Sequence, residues 1–254
     1  MSAAPPLRDV AALQSALAAR EAELAAARAE LEDFFRVASH DLRAPLRHLK
    51  AFGGLLRERL QDLGGDAEAL EFLATMDQST ALMGRMVDGL LMLSRIGRAP
   101  LTVLPLDLAA LAAEVRDDLH AEAAGRSVEW QIAPDLPACH GDPALVRQLL
   151  QHLLGNALKF TRRQPVARIA VGGQYVAGGA VEFFMRDNGV GFNPAAAGRL
   201  FGVFERLHGA AEFEGLGVGL AAVRRIAERH GGSARAEAAP DAGCTVYVRL
   251  GVPA

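Results

Sequence analysis

The sequence predicts an α+β protein in two parts, a helical hairpin in front and a mixed α/β layer structure behind. Three observations predict it. Leu7 to Arg98 is rich in Ala, Leu, Glu, Arg and Met with no β-branched run, which favours long helices. Pro100 and Pro105 then interrupt any helix. Beyond them helical segments alternate with β-like runs, and turns such as Gly178-Gly179 join neighbouring runs directly. That pattern argues for an antiparallel or mixed sheet with helices on one face, and against a wound dinucleotide-binding sheet.

Composition narrows the function classes. The chain has 254 residues, 51% hydrophobic and 22% charged, with a formal charge of -3. It holds enough apolar matter for a core and no bulk positive charge for nucleic acid or an anionic membrane. Cys139 and Cys244 fit neither a disulfide framework nor a metal spacing, and suit a reducing compartment. No apolar run approaches the roughly 18 residues of a spanning helix, and Met1 to Pro6 lacks the regions of a signal peptide. The expectation is a cytoplasmic protein with no membrane span.

Taken in order, residues 1–33 read as a coiled-coil signalling helix: Val10, Leu17, Leu24 and Leu31 recur as a heptad, with Leu13, Ala27 and Phe34 between them and Arg20 as the break. The seam through Phe35, Ala38, Leu42, Leu49, Phe52, Leu56 and Leu63 has a displaced phase. The shift near Leu31 to Phe35 is a stutter, expected to unwind a supercoil locally as a signalling joint. Residues 34–98 form the hairpin. Gly64-Gly65-Asp66 supplies the turn and N-cap, and Phe72, Met76, Met83, Met86, Leu90 and Leu93 the returning stripe. Two helices cannot close around such stripes, so a homodimeric four-helix bundle is expected.

Residues 99–105 read as a linker and 106–254 as a second domain. Its helices are expected at about Leu108 to Ala124, Asp142 to Thr161 and Val218 to His230. Its strands are expected at about Ser127 to Ile132, Arg168 to Tyr175, Ala180 to Arg186, Ser233 to Ala238 and Cys244 to Leu250.

Against the seam of Phe35, Ala38 and Leu42, His40 falls at the outermost heptad position, where an imidazole adds nothing to packing. A neutral imidazole is a competent nucleophile, and Asp41 can bond its other nitrogen. In the second part, Gly141-Asp142-Pro143 starts a helix with an apolar face of Leu145, Leu149, Leu153 and Ala157. Gln148, His152, Asn156 and Lys159 line another face. Asp187-Asn188-Gly189-Val190-Gly191 follows a β-run, and Gly215-Leu216-Gly217-Val218-Gly219 opens a helix whose free N–H groups suit phosphate. Asn193 to Glu214, with Phe201 and Phe204 on one face and Glu205-Arg206-Leu207-His208 after them, reads as a lid.

The run Phe35-Arg36-Val37-Ala38-Ser39-His40-Asp41-Leu42-Arg43-Ala44-Pro45-Leu46-Arg47 resembles the phosphoacceptor box of dimeric sensor histidine kinases, most like the kinase output region of bacterial phytochromes. Pro45 would kink the helix just after the acceptor. The polar stripe, the glycine runs and the lid resemble the N-box, glycine boxes and F-box region of the GHKL ATPase fold, in family order.

The resemblance implies an ATP-dependent kinase that phosphorylates its own His40, with Asp41 as its partner, and passes the group to an aspartate on a response regulator receiver domain. It implies that Asn156 holds Mg²⁺ and that Lys159 meets phosphate. Asp187 would accept the adenine amino group, with Gly189 and Gly191 in the first glycine box. Gly215, Gly217 and Gly219 would cradle phosphates, and Arg206 and His208 would approach them from the lid.

Three positions depart from the pattern. Leu216 stands where threonine is often seen, and His152 where asparagine is frequent. Ala44 replaces the threonine or asparagine of kinases that also dephosphorylate regulators, so weak phosphatase activity is expected. A non-catalytic nucleotide-binding scaffold and a GHKL ATPase of another class remain the alternatives. The 33 residues before the acceptor segment are too few for a sensory domain; input would come from a partner sensor or from a longer chain.

Overall fold

The computed structural model describes residues 7–98, 100–209 and 212–251. The chain divides into two compact units, Met1–Ser94 and Arg95–Ala254.

The first unit is the hairpin. Helix α1 runs Leu7–Asp62 and helix α2 Ala67–Arg98. Between them Gly64 takes a positive φ of 74° and the Gly65 N–H bonds the Leu60 carbonyl at 2.8 Å, while Asp66 accepts from the Glu68 N–H. Helix α1 remains helical through Pro45 and through residues 31–35, where the sequence suggested a kink and a stutter. The side chains of Val10, Leu13, Leu24, Leu31, Phe34, Phe35 and His40 lie outside the described residues, and with them most of the first seam and the outward imidazole.

Two cross-hairpin ion pairs, Arg43–Asp88 at 2.6 Å and Arg57–Asp77, register α1 against α2. Leu73, Val87 and Leu91 are buried, yet Leu42, Leu49, Phe52 and Leu56 on α1, Leu63 in the turn, and Phe72, Met76 and Met83 on α2 are exposed.

The second unit has its own core. Strands β2 (Val128–Ile132), β4 (Ala167–Tyr175), β5 (Val181–Asp187), β6 (Ser233–Ala238) and β7 (Cys244–Leu250) form one sheet in the order β2-β4-β5-β7-β6. Only β2 against β4 is parallel, so the sheet is mixed. Helices α3 (Leu108–Asp118), α4 (Pro143–Phe160) and α5 (Gly219–Arg229) pack on one face. Val181, Phe183 and Met185 of β5 and Val246, Val248 and Leu250 of β7 point inward to meet Leu149, Leu153, Leu154, Leu158 and Ile226. Alternate residues such as Glu182 and Arg249 face away, the period-two pattern of a half-covered sheet.

A second small sheet was not foreseen. Strand β1 (Leu104–Leu106) pairs antiparallel with β3 (Cys139–Gly141), so the proline-bearing linker ends in a strand. A two-stranded ribbon consists only of edges, and an edge tolerates Pro105 without its N–H.

Candidate active site

Helix α4 begins on Asp142, whose Oδ1 accepts from the N–H groups of Ala144 and Leu145, with Pro143 at the first helical position. Its 3.6-residue period places Leu149, Leu153 and Ala157 in the core and leaves Gln148, His152, Asn156 and Lys159 half-buried on a neighbouring stripe. Arg126 clamps the far end by donating to the Leu158 carbonyl and to Thr161 Oγ1.

That stripe meets the second glycine run. A Cβ built on Gly219 would lie 3.4 Å from His152 Nδ1, and one on Gly215 would lie 3.4 Å from Lys159 Nζ. The first turn of α5, with its unpaired N–H groups, therefore stands beside His152. Gly217 has a φ of 72°, and a Cβ there would come within 2.3 Å of the Glu205 carbonyl, so only glycine fits.

The electrostatics of the stripe follow from burial. His152 Nε2 is buried with no hydrogen-bond partner, and desolvation lowers the pKa of the ring. Burial also lowers that of Lys159, with Glu214 opposing and Arg206 and Arg162 adding to the shift. Lys159 Nζ donates to Asn156 Oδ1 at 3.1 Å and lies 4.4 Å from the Phe160 ring centroid. An orphaned polar atom, a half-buried cation and a helix N-terminus in one place suit an anionic ligand with several oxygens.

Asn156 offers a neutral amide oxygen, a donor that Mg²⁺ accepts when phosphate oxygens and waters complete its octahedron. Among the described residues no group of three His, Cys, Asp or Glu side chains is arranged to hold a metal ion.

Asp187 ends β5 and is 5% exposed. Burial pushes its carboxyl up to about 6, against the N–H groups of Gly189 and Cys244, which favour the charged form. Gly189 donates to Asp187 Oδ1 at 2.8 Å. A Cβ on Gly189 would sit 2.6 Å from the Phe160 carbonyl, so the first glycine run lies against the end of α4. Cys244, opposite Asp187 in the β5–β7 register, has its thiol pushed up to about 12 by burial and by the Asp187 charge.

The lid residues are engaged within the lid's own fastening. His208 Nε2 donates to the Gly191 carbonyl at 2.9 Å, and Arg206 donates to the Phe213 carbonyl. Phe213, 3% exposed, packs against the Phe160 and His208 rings with centroids at 5.0 and 5.4 Å. Two ion pairs, Arg162–Glu214 and Arg163–Glu212, flank it.

The structure thus gathers His152, Asn156, Lys159, Gly215 and Gly219 along the C-terminal half of α4, and Asp187, Gly189, Gly191 and His208 around Phe160, its last residue. Arg206 is exposed. In the other unit, His40 lies in α1 with its side chain outside the described residues, followed by exposed Asp41. Sequence reasoning missed Phe160, Phe213, Arg162 and Arg163; the alternation Glu212-Phe213-Glu214 opposite Arg162-Arg163 was the available signal.

Comparison with known proteins agrees with this geometry. The family described as His Kinase A (phospho-acceptor) domain matches residues 30–99, and that described as histidine kinase-, DNA gyrase B-, and HSP90-like ATPase matches residues 141–254. The methanogenesis regulatory histidine kinase FilI of Methanothrix harundinacea is 34% identical over 96% of this chain, and cyanobacterial phytochrome B of Nostoc is 31% identical over 92%. The chain spans 27% of the first of these proteins and 31% of the second. A solved structure described as ShkA full-length in complex with AMPPNP covers 86% of this chain and 45% of its own, at TM-score 0.61 and 26% identity. No helix among the described residues is long and apolar enough to cross a membrane. With a phosphoacceptor helix hairpin followed by a histidine kinase-type ATPase unit, the chain belongs to the sensor histidine kinase family.

Proposed function

We propose that this chain transfers the γ-phosphoryl group of ATP to a ring nitrogen of His40 and from there to an aspartate on a response regulator receiver domain. The observation that carries the reading is the convergence of the α4 stripe on the start of α5. His152 Nε2 is buried without a partner, and Lys159 lies beside Gly215. The AMPPNP held by the ShkA structure is the same class of ligand.

In this reading Asp187 accepts a hydrogen bond from the adenine amino group, and Gly189 and Gly191 let the base approach the backbone. The N–H groups from Gly215 to Gly219 hold phosphate oxygens, Lys159 supplies positive charge, and Arg206 and His208 close over the site with the lid. Asn156 would hold Mg²⁺ together with phosphate oxygens, and the ion would supply charge neutralisation at the phosphates. The bond from the γ-phosphorus to the bridging oxygen breaks as the bond to the imidazole nitrogen forms, ADP leaves, and Asp41 takes the ring proton. The protein positions and neutralises.

The exposed apolar stripes of α1 and α2 serve a second copy of the hairpin, giving a homodimer. The domain limits follow the reading: a signalling helix to residue 33, the phosphotransfer hairpin 34–98, a linker 99–105 and the catalytic domain from 106. The protein works in the cytoplasm, downstream of a sensor domain or partner.

Incubation with γ-labelled ATP and Mg²⁺ is expected to give acid-labile, alkali-stable label on the wild type and none on His40→Ala. Label of that kind on His40→Ala would overturn the assignment. Asn156→Asp is expected to lose Mg²⁺-dependent nucleotide binding in calorimetry; wild-type affinity would remove Asn156 from the site.

A further inference from the structure

Asp142 and His230 make a junction that nucleotide binding does not by itself require. His230 caps the C-terminus of α5 and is 1% exposed. Its Nδ1 bonds the Ile226 carbonyl at 2.8 Å, and its Nε2 faces the backbone N–H of Asp142 at 3.0 Å. A carbonyl at one nitrogen and an N–H at the other leave one tautomer: Nδ1–H donates and Nε2 accepts. The ring therefore fastens the end of α5 to the residue that begins α4. Little room surrounds it, since a Cβ on Gly141 would lie 3.2 Å from its Cδ2 and Nε2.

The carboxylate of Asp142 is divided between two tasks. Oδ1 caps α4, as described above, and Oδ2 accepts the Thr102 N–H at 3.0 Å, from the segment between α2 and β1. Burial alone would push this carboxyl up, but the N–H groups of Thr102, Leu145 and Ala144 outweigh it and hold it below its usual value. Beside His230, Arg229 donates to the carbonyl of Ile96, a 2%-exposed residue in the last turn of α2. That turn, from Arg95 onward, belongs to the same compact unit as Asp142, Arg229 and His230.

We propose that Asp142 and His230 are positioning residues for phosphoryl transfer. They set α4 against α5, and through Thr102 and Arg229 they tie both helices to the chain leaving α2. The proposal rests on the nucleotide reading above and adds its regulation. A displacement of the α2 terminus reaches His152, Asn156 and Lys159 on one helix and the Gly219 end of the other together, because buried hydrogen-bonding groups that lose a partner are costly. The input from the hairpin is thereby converted into a change in how the phosphates are presented.

Asp142→Asn tests the junction with little risk to folding, since asparagine caps a helix as well as aspartate does. Its single oxygen cannot serve both the cap and Thr102. In the full chain, ATP·Mg²⁺ affinity by calorimetry should stay within about threefold of wild type, while His40 phosphorylation at saturating ATP falls about tenfold. A wild-type rate overturns the proposal, and so does a rate loss fully explained by lost affinity.

A second measurement needs no nucleotide. In Arg229→Met, amide hydrogen exchange at Ala144, Leu145 and Val146 should quicken about tenfold, as expected if the first turn of α4 feels release of the α2 terminus. Unchanged protection there overturns the coupling. A wild-type chain that binds no ATP would remove the nucleotide reading, while the exchange result would still decide whether the junction transmits.

Discussion

The two units differ in how they deal with apolar surface. In the mixed unit the inward-facing side chains of α4, β5 and β7 are buried, Leu153 to 0% and Phe183 to 1%. In the hairpin Phe52 is 68% and Leu63 67% exposed, and the cross-hairpin ion pairs supply register rather than a core. One unit satisfies its own hydrophobic pattern; the other leaves much of its pattern exposed, as the proposed homodimer requires. Binding a small anionic ligand needs a rigid, self-contained cradle, whereas presenting a side chain on a rod needs only a partner rod.

The largest effect should come from breaking the proposed contact between two copies of the hairpin. Phe52→Glu and Leu56→Glu are each expected to weaken dimerisation by about 2–4 kcal/mol, the scale of a central interface residue. Sedimentation velocity should then show a monomer at micromolar concentration, and an intact dimer would place the interface elsewhere. In the mixed unit Leu153→Ala should cost about 2–5 kcal/mol of stability in urea unfolding, because the cavity has no way to close. If Leu42→Ala, at 49% exposure, cost a monomeric chain as much, the contrast between the units would fail.

A smaller effect concerns Asp187. Its folded pKa, about 6, is raised above the model-peptide value of 3.8. The folded state therefore holds the proton more tightly, and this group's contribution to stability is lost as pH rises from about 3.8 to about 6. Nucleotide binding should run the other way, since the ionised carboxylate is the better acceptor. Affinity is expected to drop about tenfold as pH falls through the carboxyl's titration. Asp187→Asn should flatten both profiles, and a pH step that survives in that variant would assign it to another group.

The smallest expected change is at Arg43–Asp88, whose side chains are 41% and 65% exposed. A double-mutant cycle with Arg43→Met and Asp88→Asn should give a coupling of about 0.2–1 kcal/mol. A larger value would make ion pairing, not the second copy, the hairpin's principal support.

Much of this arrangement is legible from the residues in order. The heptads place the front helices, and Asp142-Pro143 marks the start of α4 to the residue. The alternation in β5 and β7 identifies inward positions, because periods of 3.6 and two are local properties of the backbone. The strand β1 was not legible, since a three-residue segment containing Pro105 carries no periodic signal and exists only through its pairing with Cys139–Gly141. The aromatic fastening of the lid escaped for a similar reason: Phe160 and Phe213 lie 53 positions apart in the chain, yet their ring centroids are 5.0 Å apart.

By itself the order of amino acids determined the helical and strand periods, the caps and turns, and the types of side chain available for holding phosphate. Only the tertiary structure decided that His152 has a buried nitrogen without a partner, that burial pushes the Asp187 carboxyl up to about 6, that His230 joins two helices, and that Asp142 holds the segment after α2. Burial and pairing between distant segments are set by where the chain crosses itself in space, and short-range periodicity carries no record of those crossings.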